Sequence, residues 1–357
     1  MAHKPSICTM SLGRCFAGHS LAHKLDMAKK YGFVGIEVFY EDLAHLAESM
    51  LGGGSSNINN QLAAARIVRD LCDERGLEII TLQPFMHFGG LIDREEHRRR
   101  VEEIKLWIQL AQILGTDLIL LPSSFLGEKK VSGDLTQLVD DMRELADLGL
   151  KESPPMRFAY EALCWGTHVD TWEASWDVVQ LVDRANFGVC LDTFNIAGRI
   201  FADPSSPTGC TANCDSAIIS SMNTLLSAVD VSKVFLVQMA DAERLSRPLN
   251  PDHPFYHPDQ PCRMSWSRNC RLFYGESKQG AYLPVQAILT TLVKGLGFKG
   301  WLSFEVFNRQ LAEERKDVPE EMARRAAASW EKMVRDIGLR VEAPVESSSE
   351  TRLQAML

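Results

Sequence analysis

Four side chains that can supply a ligand oxygen close four apolar runs of the sequence. They are Glu161, Asp192, Gln238 and Glu305, which end the runs MRFAYE, FGVCLD, KVFLVQ and WLSFE. Three carboxylates and one amide oxygen in a small volume repel one another unless a cation joins them. Because hard divalent ions such as Mg²⁺ and Mn²⁺ prefer oxygen ligands, the set predicts a metal site with these four residues as ligands.

Each of these residues has an ordinary structural alternative when it is considered alone. A carboxylate at the end of a strand can cap a loop, or it can pair with a lysine or arginine of the barrel. Four such residues on four successive strands are harder to explain in that way. The carboxyl ends of the strands in a parallel barrel meet at one rim, where active sites lie, so the set favours a functional site.

The segments that must position these residues alternate between strand-like and helix-like patterns almost to the end of the chain. Eight apolar runs are each followed by a segment with helical periodicity, and several helices end on a glycine that leads into the next strand. This pattern predicts an α/β protein with a single (β/α)8 TIM barrel over residues 1–340. A doubly wound sheet is the competing architecture, but it requires a glycine-rich phosphate turn after the first strand, and SLGRCFAGHS matches one poorly.

Two segments interrupt the alternation and are predicted to be long loops after strands 6 and 7. Residues 201–214 are rich in Asp, Pro, Ser and Gly, and residues 242–282 contain five prolines. Loops of this length in a compact domain are usually functional or disordered, and both follow strands that carry predicted ligands. Residues 341–357 (VEAPVESSSETRLQAML) have the composition of a disordered C-terminal tail.

Composition limits the classes of function and partner. The chain has 357 residues and a net charge of −9, with 45% hydrophobic and 24% charged residues. This acidic balance disfavours nucleic acid and anionic membranes as partners, and no apolar run reaches the roughly 20 residues that span a bilayer. The nine cysteines are scattered, and the N-terminus lacks an apolar signal segment. Reduced thiols and a cytoplasmic location are therefore expected, and a homo-oligomer is compatible with the sequence.

Three further groups of residues could contribute to chemistry at the same rim. The run WSRNCR contains Ser267, Arg268 and Arg271, which could hold a carboxylate bidentately; a solvated loop is the alternative. His87 follows the third strand and is a candidate general base or substrate contact, with an idle loop histidine as the alternative. Glu37 lies in the second strand and could orient a substrate, unless it forms a structural ion pair.

These motifs make the sequence resemble the xylose-isomerase-like superfamily of sugar isomerases and epimerases. Within it, residues 6–337 closely resemble the 3-dehydroshikimate dehydratases of quinate catabolism, with the fungal type as the match. The stretches that carry the resemblance are YE at 160–161, LDTF at 191–194, VQMAD at 237–241, SRNCR at 267–271 and FEV at 304–306. A glutamine as third ligand, where many relatives have histidine, favours a dehydratase over a general isomerase.

The resemblance implies a metal-dependent lyase that converts 3-dehydroshikimate to protocatechuate through a metal-stabilised enediolate and loss of the β-hydroxyl. It assigns the four strand-end residues to one divalent ion, Mg²⁺, Mn²⁺ or Co²⁺. It assigns Ser267 and Arg271 to the carboxylate of the substrate. Either Glu161 or Glu305 is then expected to be both ligand and proton acceptor, or His87 moves the proton.

Two departures from the family pattern leave the general base open. Relatives often have histidine three residues after Asp192, where this chain has Asn195, which is kept as a candidate catalytic residue. Bacterial members tend to have arginine in the loop after strand 3, where this chain has Met86 and His87. The alternative function is a sugar or hydroxypyruvate isomerase or epimerase of the same superfamily, which shares the barrel, metal and enediolate. An endonuclease on this barrel would need several histidine ligands and a basic face.

Overall fold

The computed structural model describes residues 2–341, and ten strands lie within them. They are β1 (Lys4–Cys8), β2 (Gly35–Phe39), β3 (Glu78–Gln83), β4 (Leu118–Pro122), β5 (Arg157–Glu161), β6 (Phe187–Asp192), β7 (Val234–Met239), β8 (Asp241–Ala242), β9 (Arg271–Leu272) and β10 (Trp301–Phe304). Eight of them close a parallel barrel in the order β1-β10-β7-β6-β5-β4-β3-β2. The two-residue strands β8 and β9 pair antiparallel outside the barrel.

Helices connect the strands and surround the barrel. A π-helical turn, Thr291–Gly295, directly follows α10. The α-helices are α1 (Leu21–Lys30), α2 (Tyr40–Glu48), α3 (Ile58–Asp73), α4 (Arg94–Leu114), α5 (Leu135–Gly149), α6 (Trp172–Val182), α7 (Thr193–Ile200), α8 (Cys214–Ala228), α9 (Cys262–Cys270), α10 (Val285–Thr290) and α11 (Val318–Ile337).

The alternation of side chains along the strands determines which residues face the barrel interior. A small apolar cluster fills the interior, and it is separate from the main core between the barrel and its helices. Side chains two residues apart on a strand point to the same face, so the strand-end ligands follow this cluster into the barrel mouth. The interior cluster comprises Ile80, Leu118, Leu120, Ala159, Cys190 and Leu236.

Two aspartates illustrate how the chain passes from a strand or loop into a helix. Asp93 caps α4, because its side chain accepts hydrogen bonds from the backbone N–H groups of Glu95 and Glu96. Asp192 caps α7 in the same manner, with its Oδ1 2.8 Å from the backbone nitrogen of Phe194. Helix α7 therefore begins directly after β6, and the other carboxylate oxygen of Asp192 remains available to the barrel mouth.

The predicted (β/α)8 barrel is confirmed, but three helices were not predicted. Helices α2 and α7 begin directly after strands, and α9 lies in the segment predicted as a proline-rich loop. Its five prolines all precede Cys262, so they do not interrupt the helix. The predicted tail lies outside the described residues apart from Val341, which pairs with His3. Within residues 2–341, no helix is both long and apolar enough to cross a bilayer.

Candidate active site

Three of the four predicted metal ligands come together at the carboxyl end of the barrel. Glu161 ends β5, Asp192 ends β6 and Glu305 follows β10. One carboxylate oxygen of each lies within 4.8 Å of the others, and all three side chains are buried. We refer to these three residues as the carboxylate cluster. The strands explain the convergence, because Glu161 and Asp192 lie two residues beyond the interior residues Ala159 and Cys190.

One guanidinium lies against the carboxylate cluster. Nη1 of Arg271 is 2.8 Å from Oδ2 of Asp192 and 3.1 Å from Oε2 of Glu305, and its Nε donates to Oγ of Ser267 at 2.9 Å. The guanidinium carbon lies 4.2 Å from the ring centroid of Phe194. Arg271 is 1% exposed. Its guanidinium therefore interacts with two of the three carboxylates rather than with solvent.

Asn195 orients the other side of the carboxylate cluster. Its Nδ2 donates to Oε1 of Glu161 at 2.7 Å and to Oδ2 of Asp192 at 2.9 Å. Its Oδ1 accepts a hydrogen bond from the backbone nitrogen of Cys164 at 3.0 Å. Because the oxygen is engaged by the backbone, the amide nitrogen is directed toward the two carboxylates. The predicted catalytic candidate thus contacts two of the predicted ligands.

A chain of side-chain amides extends from the carboxylate cluster to strands β2, β3 and β7. Gln83 donates through Nε2 to Oε1 of Glu305 at 2.9 Å and to Oε2 of Glu37 at 3.1 Å. Gln238 donates to the same oxygen of Glu37 at 2.9 Å. Gln83 was not among the predicted site residues, although it ends the apolar run EIITLQ in the same way as the four predicted ligands end theirs. That shared position is the pattern that could have found it.

Burial of several carboxylates together changes their proton affinities. Burial, followed by the charges of Glu305 and Asp192, raises the pKa of Glu161 well above its usual range. Burial also raises the pKa of Glu305, and burial with the nearby Glu305 raises the pKa of Glu37 to about 8. One guanidinium does not balance three carboxylates, so the carboxylate cluster favours a further cation.

Two members of the carboxylate cluster, Glu161 and Glu305, lie at the wall of a cavity with a volume of about 410 Å³. Glu161, Glu305, Ser267, Arg268 and Arg271 belong to its polar wall. Much of the remaining wall is apolar. A cavity of this size and mixed lining suits a small molecule that carries polar groups. The apolar lining residues are Phe39, Pro84, Met86, Pro122, Phe125, Leu163, Trp165, Met264 and Phe307.

The sequence matches one known protein family over most of its length. Residues 25–333 match the family described as "Xylose isomerase-like TIM barrel". The chain belongs to the xylose isomerase-like TIM barrel family. Most of the described barrel lies within the matched range, including all four predicted metal ligands.

Individual proteins that resemble this chain indicate which branch of the xylose isomerase-like family it is similar to. A 3-dehydroshikimate dehydratase of Neurospora crassa is 56% identical over 97% of this chain and 97% of its own length. One from Pseudomonas aeruginosa is 33% identical over 85% of this chain, which spans only 38% of that relative. A solved "xylose isomerase-like TIM barrel/4-hydroxyphenylpyruvate dioxygenase fusion protein" aligns with a TM-score of 0.71 and 27% identity, over 97% of this chain and 46% of that one. These matches confirm the resemblance to 3-dehydroshikimate dehydratases.

The donor set of this xylose isomerase-like barrel fits a hard divalent ion. The carboxylate cluster is buried, its oxygens converge, and it carries more negative charge than Arg271 offsets. Among the described residues, Glu161 receives one side-chain hydrogen bond, from Asn195. Glu305 receives hydrogen bonds from both Gln83 and Arg271. Glu161 therefore keeps the greater capacity to bind a cation or a proton.

His87 does not belong to the wall of the cavity in this xylose isomerase-like barrel, but it contacts Phe125, which does. Its Nδ1 is 3.2 Å from Oγ of Ser124, and its ring centroid is 4.5 Å from that of Phe125. Burial and the charge of Arg100 lower the pKa of His87 to about 4. The preceding residue, Met86, is the one that lines the cavity. A role of His87 in proton transfer stays a prediction.

The remaining predicted residues fall into two groups in this xylose isomerase-like barrel. Glu37 and Gln238 are fully buried and do not belong to the cavity wall described above. Gln238 is nevertheless in register with Asp192 on the neighbouring strand, which places its backbone at the level of a ligand. Ser267 and Arg271 do line the cavity. A ligand role for Gln238 and a substrate contact for Glu37 stay predictions.

Proposed function

We propose that this protein is a 3-dehydroshikimate dehydratase, a lyase that converts 3-dehydroshikimate to protocatechuate and water. The observation that carries the proposal is the identity of 56% over 97% of the chain with a protein of that name. The carboxylate cluster at the wall of a cavity of suitable size supports it. The alternative, a sugar or hydroxypyruvate isomerase or epimerase, is not favoured by these relatives.

The residues that would hold a divalent ion are the carboxylate cluster together with Gln238. Such an ion, when bound, acts as a Lewis acid on the substrate carbonyl and offsets the negative charge that develops when the adjacent carbon loses its proton. Arg271 and Asn195 hold the three carboxylates in place through the hydrogen bonds described above. Gln83 orients Glu305 from the opposite side. We propose Mg²⁺, Mn²⁺ or Co²⁺ as the ion, and the activity of metal-free protein supplied with each one identifies it.

Glu161 is the residue that we assign to proton abstraction. It lines the cavity, and it accepts fewer hydrogen bonds than Glu305, so its carboxylate is the more basic of the two. It takes the proton from the carbon between the carbonyl and the departing hydroxyl. The electron pair of that C–H bond first moves onto the carbonyl oxygen to give an enediolate, and it then forms the double bond to the next carbon as the β-hydroxyl leaves with a proton as water. Loss of one further ring proton and protonation of the carbonyl oxygen complete the aromatic ring.

The position of Glu37 supports an indirect role in this reaction. It receives hydrogen bonds from Gln83 and Gln238, and its buried Oε1 has no partner among residues 2–341. It therefore fixes the orientation of two amides near the carboxylate cluster. We propose that Glu37 is a positioning residue for these amides.

The proposal also covers the location of the protein in the cell and the molecules that it binds. The chain has no helix that could cross a bilayer within residues 2–341, and its net charge is −9. We propose a cytoplasmic enzyme of quinate catabolism, with 3-dehydroshikimate as its partner and neither nucleic acid nor membrane bound. A homo-oligomer is compatible with this proposal.

A spectroscopic assay tests the proposed reaction. Protocatechuate is aromatic and its precursor is not, so addition of 3-dehydroshikimate should produce a rise in ultraviolet absorbance. A chelator should abolish the rise, and added Mn²⁺, Mg²⁺ or Co²⁺ should restore it. Folded, metal-supplied protein that leaves the absorbance unchanged would contradict the proposal.

A further inference from the structure

The three arginines of the cavity wall differ in the partners that neutralise them. Arg14 forms a two-point ion pair with Glu41. Arg271 contacts two members of the carboxylate cluster. Arg268 has no acidic partner within residues 2–341, and the charge that most affects it is the neighbouring Arg14. Arg268 is exposed to solvent, so it can bind an incoming anion without first breaking an ion pair.

The helix explains why Arg268 faces the cavity. It lies on α9 beside Ser267 and one turn before Arg271, and all three belong to the cavity wall. Part of its surface stays exposed, whereas Ser267 and Arg271 are buried. Partial burial, followed by the charge of Arg14, lowers the pKa of Arg268. An incoming anion therefore has access to Arg268 and would relieve its repulsion from Arg14.

The shape of the proposed substrate separates two ends of the cavity. In 3-dehydroshikimate the ring carboxylate is bonded to the carbon opposite the one that loses its proton. When the reacting carbon faces the carboxylate cluster, the ring carboxylate points away from it. Arg271 lies 2.8 Å and 3.1 Å from two members of that cluster, so it belongs to the reacting end. Arg268 has no such contacts and is free to serve the other end.

We propose, resting on the proposed function, that Arg268 binds the ring carboxylate and determines the preference for acidic over neutral ring compounds. Its guanidinium offers parallel N–H donors that match a carboxylate bidentately. Arg14 also belongs to the cavity wall, but its charge is paired with Glu41, so Arg268 is the arginine of this wall that remains for the ring carboxylate. The anchoring role predicted for Arg271 is thus assigned to Arg268, three residues earlier on α9, and Arg271 remains with the carboxylate cluster.

Two ligands that differ only in the carboxylate test this proposal without turnover. Protocatechuate carries the carboxylate, and catechol is the same ring without it. The dissociation constants of both are measured by calorimetric titration for the wild type, Arg268→Gln and Arg309→Gln. Arg309 is the matched control, because it is an arginine paired with Glu243 and does not belong to the wall of this cavity.

Arg268→Gln should weaken protocatechuate binding by about 10- to 100-fold, as expected for loss of hydrogen bonds to a charged group. It should leave catechol binding unchanged. It should also raise KM for 3-dehydroshikimate by a similar factor and keep kcat within about threefold, because the reacting end is untouched. Arg309→Gln should match the wild type in every measurement.

The outcomes separate this inference from the proposed function. Equal affinity of Arg268→Gln and the wild type for protocatechuate would overturn the role of Arg268. An Arg268-dependent preference for protocatechuate in a protein that fails to dehydrate 3-dehydroshikimate would support the anchor and overturn the proposed reaction. Circular dichroism spectra of the variants establish that each is folded before titration.

Discussion

Two buried ionic groups of this barrel differ in how their charges are matched. Lys24 and Asp42 form a pair of one cation and one anion, 1% and 2% exposed, with 2.5 Å between Nζ and Oδ1. Nζ of Lys24 also donates to the backbone oxygen of Gly13 at 2.9 Å. The carboxylate cluster, in contrast, gathers three carboxylates against the single guanidinium of Arg271.

The difference shows how buried charge that serves the fold can be distinguished from buried charge that serves chemistry. A matched pair meets its own electrostatic requirements, so removing one partner destabilises the protein. An unmatched set destabilises the empty protein and is retained because it binds something else. The balance of charge, rather than burial alone, therefore marks the functional site.

The largest expected effect comes from neutralising one member of the carboxylate cluster. Glu161→Gln should lower kcat for dehydration by at least about 10³-fold, because it removes the proposed general base, which contributes within that range, and also a ligand of the proposed ion. The melting temperature of the metal-free variant should equal or exceed that of the wild type, because one of three mutually repelling groups is neutral. Steady-state assays and thermal denaturation measure the two quantities.

The matched control for Glu161→Gln is Asp42→Asn in the Lys24 pair. It should lower the melting temperature and leave kcat of the folded protein unchanged. Full activity of Glu161→Gln, or a loss of stability equal to that of Asp42→Asn, would remove the distinction between the two groups.

The next effect concerns the matched pair itself. Lys24→Met leaves Asp42 buried without its cation and should lower the free energy of unfolding by about 3–5 kcal/mol. Urea denaturation followed by circular dichroism measures the change. The double variant Lys24→Met/Asp42→Leu should recover much of the loss, since it buries no charge. Unchanged stability of Lys24→Met would mean that the pair contributes nothing to the fold.

The smallest expected effect is a change in Mn²⁺ affinity when a residue that orients the carboxylate cluster is replaced. Asn195→Ala removes the amide that holds Glu161 and Asp192, and it should weaken Mn²⁺ binding by about 10- to 100-fold, as is typical for residues that orient metal ligands. The control is Asn186→Ala, a buried amide that donates to backbone oxygens of Ala146 and Met156. The control should reduce stability and leave Mn²⁺ affinity unchanged, as measured by calorimetry.

The barrel was predictable because each of its strands has a sequence pattern that involves only neighbouring residues. Continuous apolar runs such as FGVCLD and KVFLVQ, each followed by helical periodicity, require only neighbouring residues to be recognised. The same runs identified Glu161, Asp192 and Glu305, which the structure brings within 4.8 Å of one another. Helix α9 was missed because the prolines before Cys262 gave the whole segment the composition of a loop.

The partners of the site residues were not predictable from local pattern. The contact of Arg271 with Asp192 joins residues 79 positions apart, and the bond from Gln83 to Glu305 joins residues 222 apart. Such contacts depend on closure of the barrel. The orientation of the loop after β3 was not predictable either. Met86 lines the cavity and His87 does not, and the chain turns at His87, where φ is +55°.

Binding of Mn²⁺ to protein freed of metal tests the central claim most directly. Electron paramagnetic resonance of a Mn²⁺ titration should show one ion bound per chain in the wild type, and none at the same concentrations in Glu161→Gln or Asp192→Asn. Glu41→Gln, which neutralises a carboxylate of the same cavity that is paired with Arg14, should bind one ion as the wild type does. Equal binding by Glu161→Gln and the wild type, or binding lost only in Glu41→Gln, would contradict a metal site at the carboxylate cluster.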